Sequence, residues 1–301
     1  MTGDLPTVSI VTVNFNGYKY TEKCLEALEA LSYPSVEIIV VDNGSTESAD
    51  WSTLQARFPN VNFLYSRANL GFAGGNNLGL DKATGEFVWL LNNDTEPEPG
   101  SLSMLVETIS SDSSIGMVSS LLLYFEPRGL VQYAGATDLN PITMRNRSLG
   151  YREDMQPDFK KVYPTSYIHG ASVLVRSEAI ERVGRMHDFF FLYYEEYDWC
   201  FRFRQAGYKI FYDGRAIVYH KESAVTVPDS PLKTYYLLRN RLLFIRLNYK
   251  GMTKFLAVLF TSCVAAPKAI LVNLLKGKFQ NVRAVFRGLI WNLKHPRTGQ
   301  L

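Results

Sequence analysis

The stretch Glu86-Phe-Val-Trp-Leu-Leu-Asn-Asn-Asp94, followed by Thr95-Glu-Pro-Glu-Pro99, decides the fold. Its five apolar residues carry no charge, which predicts a strand buried on both faces. The run stops at two amides and an acid, and a Pro-rich turn is expected after it. Ligands of open α/β sheets gather beyond the carboxyl ends of strands. An aspartate fixed there suits a metal held against a phosphate. The alternative is a plain polar turn with a helix cap.

Upstream, the β-branched run Thr7–Val13 reads as a buried strand ending in Asn14-Phe-Asn-Gly17, and a helix is expected over Thr21–Leu31. Val36–Val41 is a second strand, ending in Asp42-Asn-Gly-Ser45; a helix near 50–58 and a strand over Val61–Tyr65 repeat the pattern. Strand, helix and strand in alternation specify a parallel sheet. Neither a P-loop nor a dinucleotide fingerprint is present. Asp42 reads as an acceptor for a base N–H or ribose hydroxyl, or as an Asx-turn residue. The glycines at 71, 74 and 75 either bring backbone close to a diphosphate or make a tight helix contact.

Downstream, a helix near 100–110 and a strand over Gly116–Leu123 are expected, then an irregular, flexible insertion over 125–165. Ile168–Arg176 resumes strand character, and Ser177 is expected to cap a short helix. An aromatic wall, Phe189-Phe-Phe-Leu-Tyr-Tyr194, then runs into Glu195, Glu196 and Asp198. Acids in a first helical turn suit the helix dipole. The apolar approach asks for more, because it would raise a carboxylate's proton affinity as a general base requires. Two short strands, Lys209–Tyr212 and Ala216–Tyr219, lead to His220.

Val8–Asn16, Val40–Ser45, Asn69-x-Gly-Phe-Ala-Gly-Gly-Asn-Asn77, Leu90-Leu-Asn-Asn-Asp-Thr95 and Tyr194-Glu-Glu-x-Asp-Trp199, with Arg202 and Ala206-Gly-Tyr208, together resemble family-2 inverting glycosyltransferases. The likeness points to the bacterial rhamnosyltransferase-like branch and covers roughly residues 6–222. It implies a GT-A-type α/β fold, a mainly parallel mixed sheet flanked by helices, with a nucleotide-binding half (about 1–98) and an acceptor half (99–226). It also implies donor contacts from Val13, Asn14, Asp42, Asn43 and Asn69, and from Gly74, Asn76, Asn93 and Asp94. Asp94 and His220 would hold Mg²⁺ or Mn²⁺ on the donor diphosphate, with Glu196 as catalytic base. Asp188, Glu195, Asp198 and Trp199 would lie on the acceptor side. The sequence departs from the family pattern at Asn92, which replaces the first acid of the metal motif, and at Glu196, where many relatives have Asp. The branch implies a dTDP-sugar donor, dTDP-rhamnose above all, with UDP-sugars used by related sequences. Asn92 also supports a second reading, a catalytically silent scaffold that binds a nucleotide sugar or glycan.

The net charge of +3 hides a division. Residues 231–301 carry 13 Lys and Arg and no Asp or Glu, against an acidic remainder. Leu232–Leu247 reads as a helix. Phe255–Pro267 is apolar but too short to span a bilayer, and Pro267-Lys268 interrupts the longer stretch. The apolar face from Phe279 to Leu293 completes a basic region (227–301) suited to an anionic membrane surface rather than nucleic acid. Its helices could also serve an oligomer contact. Such an enzyme would sit on the cytoplasmic face of the cell membrane and meet a glycan or polyprenyl-linked acceptor. Three scattered cysteines, Cys24, Cys200 and Cys263, suit a reducing compartment, and the opening Met1-Thr-Gly-Asp-Leu-Pro6 predicts no signal peptide.

Overall fold

The computed structural model describes residues 5–221 and 229–296; the start of the chain and the expected boundary at 226/227 lie outside them. The first half runs β1 (Val8–Asn14), α1 (Tyr18–Glu29), β2 (Val36–Asp42), α2 (Trp51–Arg57), β3 (Val61–Tyr65), α3 (Gly71–Leu80) and β4 (Phe87–Leu91). These strands are parallel, in the order β3-β2-β1-β4. Every residue of β4 is buried, because the sheet continues on both of its edges and is covered on both faces.

Beyond β4 the chain forms β5 (Thr95–Pro97), α4 (Ser101–Ser110), β6 (Ile115–Tyr124), β7 (Val131–Tyr133), β8 (Val162–Pro164), β9 (Ser172–Arg176), α5 (Ser177–Val183), α6 (Glu195–Gln205) and β10 (Lys209–His220). The order continues β4-β9-β6-β10-β5, with β9 antiparallel to both neighbours and β10 parallel to β6. The parallel character thus belongs to the nucleotide-binding half, and the second half is mixed.

Several expectations need correction. The Pro-rich turn is strand β5, which pairs antiparallel with the end of β10 so that Thr95 sits opposite His220. Residues 125–165 are no loose insertion: β7 and β8 join the sheet, and buried Tyr133 donates through its hydroxyl to the Tyr167 carbonyl. The two strands expected over 209–219 are one strand with a bulge between Asp213 and Ile217. Ser177 is already helical, and its hydroxyl donates to the Gly85 carbonyl instead of capping.

The C-terminal region is α7 (Pro231–Asn248), α8 (Gly251–Phe260), α9 (Ala266–Leu275) and α10 (Phe279–Lys294). Here the expected interruption at Pro267 fails. A π-turn, Thr261–Ala265, joins α8 to α9 as one apolar helix of 25 residues, long enough by length and composition to cross a membrane. Wider turns accommodate residues without a backbone donor, and Pro267 lies in the first turn after this one. The extra residue also rotates the helix so that Ala257, Thr261 and Ala266 all face inward. Phe255, Leu259, Val264, Leu271 and Leu275 remain exposed.

Candidate active site

Three strand ends converge at the carboxyl edge of the first half. Asn14 ends β1 and is fully buried; its Nδ2 donates to Asp42 Oδ1 at 3.0 Å and to Ser45 Oγ at 2.9 Å. Its Oδ1 accepts from Gly17 N, Thr21 Oγ1 and Asn93 Nδ2, the last two at 3.0 Å. One amide therefore ties the ends of β1, β2 and β4 together. Asn43 does the same for the next loop, accepting from Leu70 N and donating to Gly71 O and Asn69 Oδ1. Asn76 is buried and donates to Phe72 O within its own helix. Asn14, Asn43 and Asn76 thus shape the edge from within, while Asp42 and Asn93 retain slight exposure there.

Gly75 takes the tight-contact reading: a Cβ there would lie 2.7 Å from Val13 Cγ1 and 3.0 Å from Asn43 Nδ2. Gly79 seats α3 on Val11 in the same way. Gly74 and Asp188 instead line a cavity of about 410 Å³ between α3 and Arg185–Phe189. Neither Asp94 nor Glu196 lines that cavity.

The pairing of β5 with β10 sets Asp94 beside His220, with Oδ1 3.2 Å from Nε2. On the other side of the ring, His220 Nδ1 lies 2.8 Å from Gln132 Oε1. That amide oxygen only accepts, so Nδ1 donates to it and Nε2 is the ring nitrogen that faces Asp94. Two ligands at adjacent corners of an octahedral Mg²⁺ site would lie about 3 Å apart. The pair fits a divalent cation on geometry and donor chemistry, with Gln132 as the outer partner fixing the ring. Among the described residues no group of three His, Cys, Asp or Glu gathers for a metal. The donor set therefore suits an ion whose remaining positions are filled by substrate oxygens and water.

Glu195 and Glu196 open α6 after three residues with positive φ: Phe191, Tyr193 and Tyr194. Glu195 is buried, and its Oε2 has no hydrogen-bond partner. Burial, reinforced by Glu196, drives its carboxyl well above the ordinary range. Glu196 is half-buried, and desolvation pushes it up to about 7. A Cβ on Gly170 would lie 2.6 Å from Glu196 Oε1 and 3.0 Å from Phe72 Cζ, so only glycine leaves room for this carboxylate.

His169 precedes Gly170, and its ring lies 5.8 Å from that of His220. Burial lowers His169 to about 3, which keeps it neutral, and its Nδ1 accepts from Ala171 N at 3.2 Å. The dipeptide His169-Gly170 thus has the Asp94–His220 pair on one flank and Glu196 on the other. Sequence reading missed His169, Gly170 and Gln132. Glycine after histidine in a strand-like run was the available signal for the first two; Gln132 carried none.

Two acceptor-side expectations are corrected. Trp199 is 1% exposed, packs in the core and donates to Gly184 O at 2.9 Å. Burial favours the neutral Asp198 carboxyl, but His187, Arg202 and Asn248 outweigh it and hold the group below its ordinary range. Both residues brace α6 and have no face left for a ligand.

The C-terminal region is also part of this site's support. Asn240 of α7 donates to the carbonyls of Phe190, Leu192 and Tyr193, each at 2.8 Å, and Arg239 donates to Phe189 O at 2.6 Å. These bonds fasten the positive-φ segment that delivers Glu195 and Glu196. Phe190 and Tyr194 share one core cluster with Leu243, Phe244 and Ile245, so the region is no detached appendage.

A family model described as "Glycosyl transferase family 2" matches residues 9–184, more than half of the chain. The chain belongs to glycosyl transferase family 2. It is 28% identical over 211 residues to the "Low-salt glycan biosynthesis hexosyltransferase Agl10" of Haloferax volcanii, covering 68% of this chain and 64% of that one. It is 28% identical over 254 residues to the "N-acetylglucosaminyl-diphospho-decaprenol L-rhamnosyltransferase" of Mycobacterium tuberculosis, covering 76% and 80%. Among solved structures it resembles the "Mannosyltransferase PcManGT from Pyrobaculum calidifontis in complex with GDP-Man and Mn2+", with a TM-score of 0.58 at 16% identity over 98% of this chain and 76% of that one. It likewise resembles GalNAc-T7, solved with UDP, GalNAc and Mn²⁺, with a TM-score of 0.61 at 15% identity over 85% and 54%. At these identities the likeness establishes the GT-A-like fold of this family member.

Proposed function

We propose that this protein is an inverting, metal-dependent glycosyltransferase that moves L-rhamnose from dTDP-rhamnose to a hydroxyl of a polyprenyl-linked glycan. The observation that carries the reading is the pair of unlike acidic centres flanking His169-Gly170: Asp94 against an imidazole, and Glu196 in apolar surroundings. The mycobacterial relative, whose name specifies an L-rhamnosyl transfer to a diphospho-decaprenol glycan, supports the donor and acceptor class.

Asp42 accepts from the nucleoside at the end of β2, held in place by Asn14 and Ser45. Asp94 and His220 hold Mg²⁺ or Mn²⁺, which when bound offsets the negative charge developing on the leaving diphosphate. Gln132 orients the His220 ring by accepting from Nδ1, which leaves Nε2 turned towards Asp94 and the ion the two would share. Glu196 takes the proton of the acceptor hydroxyl as that oxygen attacks the anomeric carbon from the face opposite the leaving group. The result is a single displacement with inversion. A carboxylate with raised proton affinity is better matched to an alcohol proton near neutral pH than an ordinary one.

The exposed apolar residues of the 25-residue helix and the basic composition of 231–301 support work at the cytoplasmic membrane face, where soluble donor and lipid-linked acceptor meet. The test is a thermal-shift panel of sugar nucleotides with Mg²⁺ or Mn²⁺, followed by product analysis with the donor that binds. A dTDP-sugar should raise the melting temperature in a metal-dependent way. Stabilisation by no sugar nucleotide, or donor binding without transfer to any lipid-linked glycan, would remove the reading.

A further inference from the structure

The C-terminal region holds a second concave feature, an open groove of about 420 Å³ between α7 and α10. Tyr235, Tyr236, Arg283 and Arg287 form its polar wall, and Pro231 and Leu232 its apolar one. Arg283 and Arg287 are one helical turn apart and exposed. The Arg287 guanidinium is 5.5 Å from the centroid of the Tyr235 ring, which holds it over the groove. Among the described residues neither arginine is paired with a carboxylate, and 231–301 contains none; Asp229, just before it, pairs with Lys278 at 3.0 Å. Two unneutralised guanidiniums on one concave face call for a multiply charged oxyanion.

The rim specifies more. Leu232, Phe279, Phe286 and Ile290 are exposed, so the charged groove lies within an apolar surface. A soluble anion gains nothing from such a rim, whereas a phosphate on a hydrocarbon chain uses both parts. A chain of protein contacts links one wall of the groove to the surroundings of the candidate base. Tyr236 stacks on Phe191 with ring centroids 5.2 Å apart, and Phe191 O accepts from Phe72 N at 2.7 Å. The Phe72 ring and Glu196 Oε1 then crowd the same face of Gly170.

We infer that Arg283 and Arg287 seat the diphosphate of the polyprenyl-linked acceptor, so that its glycan end extends along Tyr236 and Phe72 towards Glu196. The inference rests on the lipid-linked acceptor proposed above and adds where that acceptor's phosphates are held.

Sedimentation of the full chain with vesicles tests it without donor or turnover, so its failure is distinguishable from failure of the transferase reading. The probes are phosphatidylcholine vesicles doped to equal negative charge with polyprenyl diphosphate or with phosphatidylglycerol. Wild-type protein should prefer the polyprenyl diphosphate vesicles, and the double variant R283A/R287A should lose about tenfold in affinity for them, as expected for loss of one or two charge-assisted hydrogen bonds. The variant K268A/K276A removes the same charge outside the groove and should keep the preference. Overturning results are equal wild-type binding to both vesicles, a preference that survives R283A/R287A, or equal loss in both double variants. The last would make the effect one of general surface charge.

Discussion

Asp94 and Glu196 are both carboxylates set where an apolar run ends, yet they stand in unlike surroundings. Asp94 lies 3.2 Å from His220 Nε2, just before a strand fixed by antiparallel pairing with β10. Glu196 follows an aromatic loop, shares one face of Gly170 with the Phe72 ring, and has its proton affinity raised by burial. The first environment suits a metal ligand, the second an acid that gains and loses a proton near neutrality. Two carboxylates in unlike surroundings can take different roles in one reaction.

The sharpest break of this comparison is Glu196→Gln. It should lower kcat by on the order of 100–10,000-fold, the span associated with losing a general base, while donor affinity stays unchanged. A comparable loss of donor affinity would merge the two centres into one. On the Asp94 side, Gln132→Ala frees the His220 ring and should weaken Mn²⁺ activation by roughly 10–100-fold, read as the metal concentration for half-maximal turnover. Two smaller effects sharpen the picture. Asn240→Ala removes the donor shared by three carbonyls of the loop before Glu195, and should cost about 1–3 kcal/mol of stability in denaturant unfolding. It should also lower kcat more than it changes donor affinity.

The last prediction concerns pH. Because Glu196 must be deprotonated to act, kcat/KM should rise through about pH 7, well above an ordinary glutamate. The same raised proton affinity makes the folded state bind a proton that the unfolded state releases. Its contribution to stability is therefore complete below the ordinary glutamate range and is lost as pH rises towards 7. Glu196→Gln should remove the rate dependence and flatten that part of the stability profile.

How much of this was legible in the sequence depended on range. Strands β1 to β4 and their polar ends were readable because unbroken β-branched and apolar runs report burial locally. Asp94, Glu196 and His220 were likewise picked out by residue type at the ends of such runs. What the sequence could not supply were pairings over long separations. Gln132 meets His220 across 88 residues, and Asn240 meets the loop before Glu195 across about 50. The Pro-rich segment became a strand only because the end of β10 offered it a partner. Pro267 failed as a helix breaker because a π-turn absorbed it. Trp199 and Asp198 show the opposite error: residues within a functional motif can be buried supports of it.

The central claim, that one acidic centre serves the donor and the other the acceptor, is tested most directly by calorimetric titration of dTDP and UDP, with and without Mn²⁺, into wild type, Asp94→Asn and Glu196→Gln. The account predicts that Asp94→Asn loses the metal-dependent part of the affinity and that Glu196→Gln retains all of it. Metal-dependent binding that survives in Asp94→Asn, or disappears in Glu196→Gln, would contradict it.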